Sequence, residues 1–386
     1  MKFSTALSVV AAIYTLPSQG LPASDHFPKS LSFETELKND PNLVQQLKKR
    51  GEIISVDTDI HQILLTFPLS LGGHSVKSVV DTGSRSSWIF NGVSDSSSSL
   101  CSSNSCLTST SNIDISDDSY SIYYRGNFGA FGKWVSAPLS LGGSASAPFK
   151  FGLADSITGN TGDYSWAGFG YDSDELNRDS STHIIDVLHE SGVIDNKIFQ
   201  LKYSSISSWD ADIMGSGSLT IGSYDTSANI KFFDMTENIK YYLAIPMNSI
   251  SNSNGDSISL DSVQTSVFDS GSTSLLMKQK YIDAILGDIV YDSTYTSFFK
   301  CSDYENFILK FNIDSTTTIS IPLTSISWNQ YKESNDLCQL MVGTLPDDVT
   351  FELAFGQYAM KNLITVFDIH QKRLGLASNS NSVTIS

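Results

Sequence analysis

Basic residues are scarce in this chain of 386 residues. Lysine and arginine together number 24 against 41 aspartates and glutamates, which gives a formal net charge of −17. Nucleic acids and anionic membrane surfaces attract basic proteins, so we exclude both as the main partner. The acidity is carried by the shorter carboxylate, because 32 of the acids are Asp and only 9 are Glu.

Strong helix formers are also in short supply. Serine and threonine make up 92 residues and aromatic residues make up 11% of the chain, a composition that favours strands and turns. A helical bundle is therefore excluded. Disorder is excluded as well, because a hydrophobic content of 40% supplies ample apolar surface to bury. The length predicts two domains, or two lobes of one fold.

The apolar run near the N-terminus is too short to cross a bilayer. It covers residues 6–16, whereas a membrane-spanning helix needs about 20 residues. With Lys2 before it and Ser18-Gln19-Gly20 after it, the run predicts a secretory signal peptide over residues 1–20. The polar segment 374–386 lacks the apolar tail of a lipid-anchor signal. We therefore expect a secreted, extracellular protein without a membrane anchor.

A mixed-charge segment follows the predicted signal and ends in Lys48-Lys49-Arg50. In a secreted chain this basic cluster indicates a processing site, so residues 21–50 are predicted to be a propeptide; a solvated basic face is the alternative. Loss of residues 1–50 removes six basic and four acidic residues and changes the net charge from −17 to −19. The basic propeptide is expected to inhibit by charge pairing with an acidic cleft, which weakens as carboxylates protonate.

Only four cysteines are present. In an oxidising compartment an even number of cysteines predicts two disulfides. Three pairings are possible, and local pairing of Cys101 with Cys106 and of Cys301 with Cys338 is the simplest. A zinc site is the competing interpretation, but it lacks a Cys-x2-Cys pair and clustered histidines. No metal or other cofactor is predicted.

Short apolar stretches separated by Gly, Ser, Asn and Asp predict a mainly β chain with two packed lobes. Amphipathic spacing predicts helices over residues 182–191 and 278–286. The predicted lobes cover residues 51–225 and 226–386. The predicted strands are residues 63–71, 76–90, 121–135, 219–222, 266–277, 307–313 and 363–369.

A short pattern occurs twice, once in each predicted lobe. Val79-Val80-Asp81-Thr82-Gly83-Ser84 is echoed 188 residues later by Val267-Phe268-Asp269-Ser270-Gly271-Ser272. A single copy is typical of an ordinary turn in which Asp bonds the backbone at the end of a strand. Two copies, each after an apolar pair, favour a paired function.

Two aspartates brought together between the lobes would form an acid–base pair. Like charges a few ångströms apart do not both ionise easily, so the pair holds one proton. The ionised member can take a proton from water that attacks an amide carbonyl, and the protonated member can polarise that carbonyl.

The sequence has few of the residues that other catalytic chemistries need. The nearest approach to a serine-nucleophile motif is Gly215-Ser216-Gly217, no phosphate-binding loop is present, and a metal would need further ligands.

With these two loops, the chain resembles the pepsin-like aspartic proteases, most closely the secreted yeast and fungal branch (candidapepsin-like or barrierpepsin-like), over about residues 60–377. The resemblance implies a bilobal β fold with the active-site cleft between the lobes, and Asp81 and Asp269 as the catalytic pair. It further implies a set of supporting residues. Thr82 and Ser270 would grip the opposite loop, Ser84 and Ser272 would bind the outer carboxylate oxygens, and Gly83, Gly271 and Trp88 complete the motif.

The segment from Ile122 to Trp134 is similar to the flap hairpin of that family. The resemblance makes Tyr124 the flap tyrosine, paired with Trp88, and places Gly126 in the flap tip. It also implies one disulfide in each lobe, in line with the two local pairings, and a peptide or protein substrate bound in an extended conformation.

Four departures from the family pattern stand out. The flap tip reads Arg125-Gly126-Asn127, which would place a cation above the acidic pair. Near the end of the chain, Ala354-Phe355-Gly356-Gln357 has Gln where the family usually has Asp. The matching first-lobe segment, Trp166-Ala167-Gly168, and the segment before the first Asp, Leu71-Gly72-Gly73-His74-Ser75, also differ from the usual residues. The expected function is a secreted zymogen that matures to a monomeric aspartic endopeptidase working at acidic pH. A catalytically weak or inactive pepsin-like binding or inhibitor protein is the alternative, and a structural cell-wall β protein is a third.

Overall fold

A computed structural model describes thirteen stretches of the chain. They are residues 31–38, 64–93, 105–124, 128–141, 144–159, 164–171, 182–203, 216–236, 243–261, 265–289, 298–328, 337–380 and 382–386.

Strands dominate the first half of the described chain. Alternating apolar residues put one face of most of these strands into the core. The strands are Leu31–Lys38 (β1), Leu64–Leu71 (β2), His74–Asp81 (β3), Trp88–Asn91 (β4), Cys106–Leu107 (β5), Asp114–Tyr124 (β6), Phe128–Leu141 (β7), Ser144–Thr158 (β8), Ser165–Gly168 (β9), Ile198–Tyr203 (β10) and Ser216–Ile221 (β11). Helix α1, Ile184–Glu190, lies between β9 and β10.

The second half is built from shorter strands. They are Lys231–Asp234 (β12), Ala244–Pro246 (β13), Ser249–Asn252 (β14), Ser257–Ser259 (β15), Thr265–Phe268 (β16), Leu275–Lys278 (β17), Phe298–Lys300 (β18), Ile308–Asn312 (β19), Thr318–Pro322 (β20), Ser327–Trp328 (β21), Leu337–Leu340 (β22), Val342–Leu345 (β23), Leu353–Phe355 (β24), Leu363–Asp368 (β25), Arg373–Ser378 (β26) and Thr384–Ile385 (β27). The helices are α2 (Gln279–Leu286) and α3 (Gln357–Met360), with 3-10 turns at Gly287–Ile289, Cys301–Tyr304 and Leu323–Ile326.

The prediction of a mainly β fold is confirmed, and both predicted helices are present with slightly shorter bounds. Three predicted strands are wrong in one respect. Residues 76–90, 121–135 and 266–277 are each predicted to be one strand, but each is broken into two: β3 with β4, β6 with β7, and β16 with β17. Strands β6 and β7 pair antiparallel, with Tyr124 opposite Phe128. In the other two the break falls on the Asp-Thr/Ser-Gly-Ser pattern, whose backbone turns back on the Asp carboxylate instead of continuing the ladder.

One large sheet joins the two halves of the chain. Its strand order is β12-β26-β25-β10-β11-β1-β2-β3-β9-β4-β8-β7-β6, with β5 added beside β4. Strands β10 and β25 form the junction, where Phe199 stands opposite Phe367 and the two rings stack at 4.6 Å between centroids. Smaller sheets of five, five and three strands complete the second half in the described residues.

Strand β1 comes from the predicted propeptide and lies inside this large sheet. It pairs antiparallel with β11 on one side, from Leu31 opposite Ile221 to Glu36 opposite Ser216. On the other side Glu36 to Lys38 pair with β2. The predicted signal peptide and the predicted cut after Arg50 lie outside the described residues. In the full-length chain, therefore, part of the predicted propeptide is an integral strand of the fold.

One predicted disulfide is present, between Cys301 and Cys338. Cys106 is also in a disulfide, while its predicted partner Cys101 lies outside the described residues. No helix in the described stretches is both long and apolar enough to span a membrane.

Loss of the Cys301–Cys338 bond is expected to destabilise the second half of the fold. The bond joins residues 37 apart in sequence, and in the chain-entropy view a loop of this length stabilises by about 4 kcal/mol. Urea denaturation of the Cys301→Ser/Cys338→Ser double variant measures the loss in the free energy of unfolding. A loss below about 1 kcal/mol would contradict the expectation.

Candidate active site

The two Asp loops occupy equivalent positions in the fold. Strand β3 ends at Asp81 and runs parallel to β9, with Asp81 opposite Gly168. Strand β16 ends one residue before Asp269 and runs parallel to β24, with Phe268 opposite Phe355. Each Asp thus lies at the end of a buried strand, and hydrogen bonds to a parallel neighbouring strand hold the backbone that leads to it.

A reciprocal set of hydrogen bonds ties the two loops together beneath the carboxylates. The Thr82 hydroxyl donates to Phe268 O at 2.7 Å and accepts from the Ser270 N–H at 2.9 Å. The Ser270 hydroxyl donates to Val80 O at 2.9 Å and accepts from the Thr82 N–H at 3.1 Å. All of these groups are buried, so each loop is held by the backbone of the other across 188 residues of sequence. This is the grip that the resemblance implied for Thr82 and Ser270.

The two buried carboxylates converge on one glycine. The Gly83 N–H donates to Oδ1 of Asp81 at 2.8 Å, and the Gly271 N–H donates to Oδ1 of Asp269 at 2.9 Å. A Cβ atom placed on Gly83 would overlap Oδ1 of Asp269 and stand 2.6 Å from its Oδ2. Gly83 therefore binds one carboxylate and lies directly against the other, which brings Asp81 and Asp269 to a common centre.

The two serines of the repeated pattern behave differently. The Ser84 hydroxyl donates to Oδ2 of Asp81, in agreement with its predicted position. The Ser272 hydroxyl was expected to bind the outer oxygen of Asp269, but it donates to Ser274 O at 3.5 Å. Its backbone N–H closes the turn on Asp269 O at 3.0 Å, and its side chain points along the chain.

An aromatic cluster lies under the hairpin of β6 and β7. Tyr124 accepts a hydrogen bond from Nε1 of Trp88 at 3.2 Å, the pairing that the resemblance implied. The Tyr124 ring stacks on Phe128 at 4.8 Å and lies 5.0 Å from Trp166, which in turn stacks on Trp88 at 5.4 Å. The predicted tip residues 125–127, including Gly126, lie outside the described residues.

A scan against family models matches residues 69–379 to "Eukaryotic aspartyl protease". The chain belongs to this family. The match covers well over half of the sequence and includes both Asp loops, so the predicted family and enzyme class, an aspartic-type endopeptidase, are confirmed.

Similar proteins are fungal acid proteases. The "Acid extracellular protease" of Yarrowia lipolytica is 25% identical over 333 residues, which cover 80% of this chain and 79% of that protein. The "Acid protease" of Saccharomycopsis fibuligera is 23% identical, covering 85% of this chain and 83% of that protein. The crystal structure of the aspartic proteinase from Irpex lacteus superposes with a TM-score of 0.65 at 21% identity, covering 83% of this chain and 95% of that one. The predicted pepsin-like fold and fungal branch are thereby confirmed.

In this aspartyl protease the second loop has a contact that the sequence did not reveal. Nε2 of Gln357 donates to Ser270 O at 2.7 Å, and its backbone N–H donates to Ser272 O at 2.7 Å. The only sequence signal was the departure from the family's usual Asp at this position, and it did not predict which group the side chain would bind.

Within the described stretches, no group of three or more His, Cys, Asp or Glu could hold a metal ion.

A buried ion cluster behind the first loop was also missed. We call it the α1 cluster; it centres on Asp186 of α1 and includes Arg85, Tyr171, His183 and Lys197. Asp186 accepts from the Tyr171 hydroxyl at 2.7 Å and from Nζ of Lys197 at 2.8 Å, and lies 3.6 Å from Nη2 of Arg85 and 3.4 Å from Nδ1 of His183. Burial raises the pKa of the Asp186 carboxyl, but its contacts with His183, Lys197 and Tyr171 outweigh burial and hold the pKa well below the usual range.

The fully buried His183 should make stability depend on pH. Burial lowers the pKa of His183, against the opposing contact with Asp186. The unfolded chain, with an imidazole pKa of about 6.5, therefore takes up the proton before the folded protein does. As pH falls from that value toward the folded pKa, this site costs about 1.4 kcal/mol of stability per pH unit.

We expect His183→Gln to remove this penalty. In an Asp269→Asn background, which prevents self-digestion, the variant should gain stability relative to its parent when the pH is lowered from about 7 to about 4.5. Urea denaturation at both pH values measures the change. His370→Gln, at an exposed histidine, is the control and should show no such trend. A stability difference between His183→Gln and its parent that is the same at both pH values would rule the explanation out.

Proposed function

We propose that this protein is a secreted zymogen which, once processed, hydrolyses peptide bonds at acidic pH with Asp81 and Asp269 as its acid–base pair. The observation that carries the proposal is the contact of Gly83 with both carboxylates, because it puts two like charges at one buried centre. Two carboxyl groups that both touch the same residue do not ionise together easily, so the pair holds one proton. One member is then a general base and the other a general acid.

The reaction follows from that arrangement. The ionised carboxylate takes a proton from a water molecule, and the water oxygen attacks the carbonyl carbon of the scissile peptide. The protonated carboxyl gives its proton to the carbonyl oxygen, which forms a tetrahedral diol. The carboxyl that took the water proton then passes it to the peptide nitrogen as the C–N bond breaks, and the other carboxylate takes back a proton from a diol hydroxyl, so the pair again holds one proton. The N–H groups of Gly83 and Gly271, each bound to an Oδ1 atom, fix the planes of the two carboxylates during these transfers.

The flap supplies the substrate side of the proposal. Trp88 and Phe128 hold the Tyr124 ring in place. We expect the hairpin of β6 and β7 to act as the flap over the two carboxylates, as its resemblance to the family's flap implies. A substrate in extended conformation would pair with the hairpin through its backbone. Gly126 at the predicted tip is expected to let the backbone approach the substrate closely.

The remaining parts of the proposal concern processing and location. Residues 1–20 act as the secretory signal, residues 21–50 are removed after Arg50, and the lobes 51–225 and 226–386 form the mature monomer. Similarity to the acid extracellular protease of Yarrowia lipolytica supports secretion and acid activity. The net charge of −17 also supports work at low pH, where carboxylate self-repulsion falls.

Hydrolysis of a denatured protein by the processed enzyme tests the proposal. We expect cleavage at acidic pH that is blocked by a pepstatin-type inhibitor and falls as pH rises toward neutral. Processed protein that binds the inhibitor but cleaves nothing at any pH from about 3 to about 7 would favour the inactive binding protein instead. Secretion is tested separately, by N-terminal sequencing of the protein recovered from the culture medium.

A further inference from the structure

The first Asp loop, residues 81–87 between β3 and β4, is hydrogen-bonded to a short segment at the end of β9. We call residues 168–171 the rear segment. The Gly168 N–H donates to the Ser87 hydroxyl at 3.0 Å, the Phe169 N–H donates to Asp81 O at 2.7 Å, and the Gly170 N–H donates to Ser84 O at 2.8 Å. Three successive backbone donors thus bind the loop through two of its carbonyl groups and the Ser87 hydroxyl.

The contact between the rear segment and the loop leaves no spare space. A Cβ atom on Gly168 would overlap the Arg85 backbone, and one on Gly170 would lie 2.9 Å from both N and O of Ser84. Real Cβ atoms are not found that close to backbone atoms, so the two surfaces cannot slide past each other without breaking the hydrogen bonds. A displacement of the rear segment is therefore transmitted to the loop and to the Asp81 carboxylate.

Asp186 binds both partners of this contact. Its carboxylate reaches Arg85, the residue that follows Ser84 in the loop, and it accepts from Tyr171, the last residue of the rear segment. Lys197 and His183 complete its surroundings and face it from the start of β10 and from the residue before α1. One buried carboxylate on a helix thus connects the end of the loop to the end of the segment that grips it.

We propose that Asp186 is a positioning residue for the reaction: by binding Arg85 and Tyr171 together, it fixes the first loop against the rear segment and so sets the orientation of the Asp81 carboxylate. The inference deepens the proposed function and rests on it. Asp186 touches no reacting atom in this scheme. Its effect on catalysis passes through Arg85 and through the backbone donors of the rear segment.

The second half of the chain offers a closely matched control. Glu352 is 7% exposed and Asp186 is 6% exposed. Like Asp186, Glu352 accepts from a tyrosine hydroxyl, that of Tyr281 at 2.6 Å, and pairs with a lysine, Lys278 at 3.2 Å. Its partners belong to α2 and to the end of β17 and not to an Asp loop. Neutralising Glu352 therefore removes a buried ion cluster of the same kind without touching the loop.

The experiment compares Asp186→Asn with Glu352→Gln in the full chain after processing. Asparagine keeps the shape of Asp186 but removes the charge that binds Arg85. We expect Asp186→Asn to lower kcat by about 100-fold with KM within about twofold, because a small misplacement of a reacting group has a cost of that size. Its pH–rate profile should also change shape. Glu352→Gln should lose comparable stability but keep kcat within about twofold of wild type.

A double variant separates positioning from electrostatics. Arg85→Met/Asp186→Asn removes the ion pair that joins the helix to the loop. It should recover stability relative to Asp186→Asn, because the buried guanidinium of Arg85 is no longer left without its carboxylate, whereas Lys197 is partly exposed to solvent. The connection between loop and helix is still absent, so kcat should stay low. Recovery of kcat together with stability would overturn the inference, and so would an Asp186→Asn variant with wild-type kcat.

Hydrogen exchange gives a readout that does not depend on proteolysis. In Asp186→Asn the amides of residues 81–88 and 168–171 should exchange at least about tenfold faster, whereas Glu352→Gln should leave them protected. Unchanged protection in Asp186→Asn would refute the inference even in a protein that cleaves nothing. Wild-type protein that fails to hydrolyse any substrate, with exchange rates that follow the expectation, would instead count against the proposed function alone.

Discussion

Asp269→Asn in the processed enzyme is expected to lower kcat by about 10⁴-fold, the upper end of what one general acid–base group supplies. The asparagine amide fits the same space and can still accept the hydrogen bond from the Gly271 N–H. It cannot share a proton with Asp81, because it neither ionises nor exchanges a proton at working pH. The loss should therefore appear in kcat, while KM and the thermal midpoint change little. Steady-state cleavage of a peptide at acidic pH measures it.

Asp314→Asn is the matched control for this substitution. Asp314 also follows a strand and binds the backbone two residues on, since its Oδ1 accepts from the Thr316 N–H at 2.7 Å. It is exposed, however, and lies in the turn between β19 and β20. We expect its kcat to stay at the wild-type level. If Asp269→Asn retained more than about one tenth of wild-type activity, acid–base catalysis by the pair would be untenable.

Gly83→Ala should have the second largest effect. The added methyl group would occupy the space of the Asp269 carboxylate, and the grip between Thr82 and Ser270 prevents the backbone from moving aside. We expect overpacking to lower the free energy of unfolding by about 1–3 kcal/mol. We also expect kcat to fall by at least about 100-fold, because the two carboxylates are pushed apart. Urea denaturation and steady-state kinetics on the same preparation separate the two effects.

Gly343→Ala tests whether any crowded glycine gives the same result. A Cβ atom there would meet Cδ2 of Leu276 at 2.8 Å, the end of a side chain that can rotate away. A small loss of stability with unchanged kcat is expected. Equal losses of kcat in the two variants would mean that Gly83 has no special relation to Asp269.

The sequence predicted the parts of the site that are encoded locally and twice. The repeated Asp-Thr/Ser-Gly-Ser pattern carries its own turn, since Asp81 and Asp269 each accept from the N–H two residues on. Because two such turns on apolar strands are rare by chance, their pairing across the fold could be inferred without a structure. The helices could be placed because their apolar faces repeat at helical spacing over two full turns.

What the sequence did not predict depends on contacts between distant segments. Nothing in the amphipathic pattern of α1 distinguishes Asp186 from a solvated acid, since its burial comes from Arg85, Tyr171 and Lys197 arriving from three other places in the chain. The direction of the Ser272 hydroxyl is likewise a choice among rotamers that similar sequence patterns do not determine. The pairing of β1 inside the large sheet depends on strands more than a hundred residues apart on one side.

Under the proposed processing, the pairing of β1 would separate cutting of the chain from activation of the enzyme. A cut after Arg50 breaks one peptide bond but none of the hydrogen bonds that join Leu31–Lys38 to β2 and β11. The cleaved protein would then be a complex of two chains held together by the pairing of β1. Release of the segment that contains β1 would be a dissociation, and it would depend on dilution, temperature and competing strands. The time course of activity after processing would follow an off-rate, and two preparations cut to the same extent could differ in activity by their concentration alone.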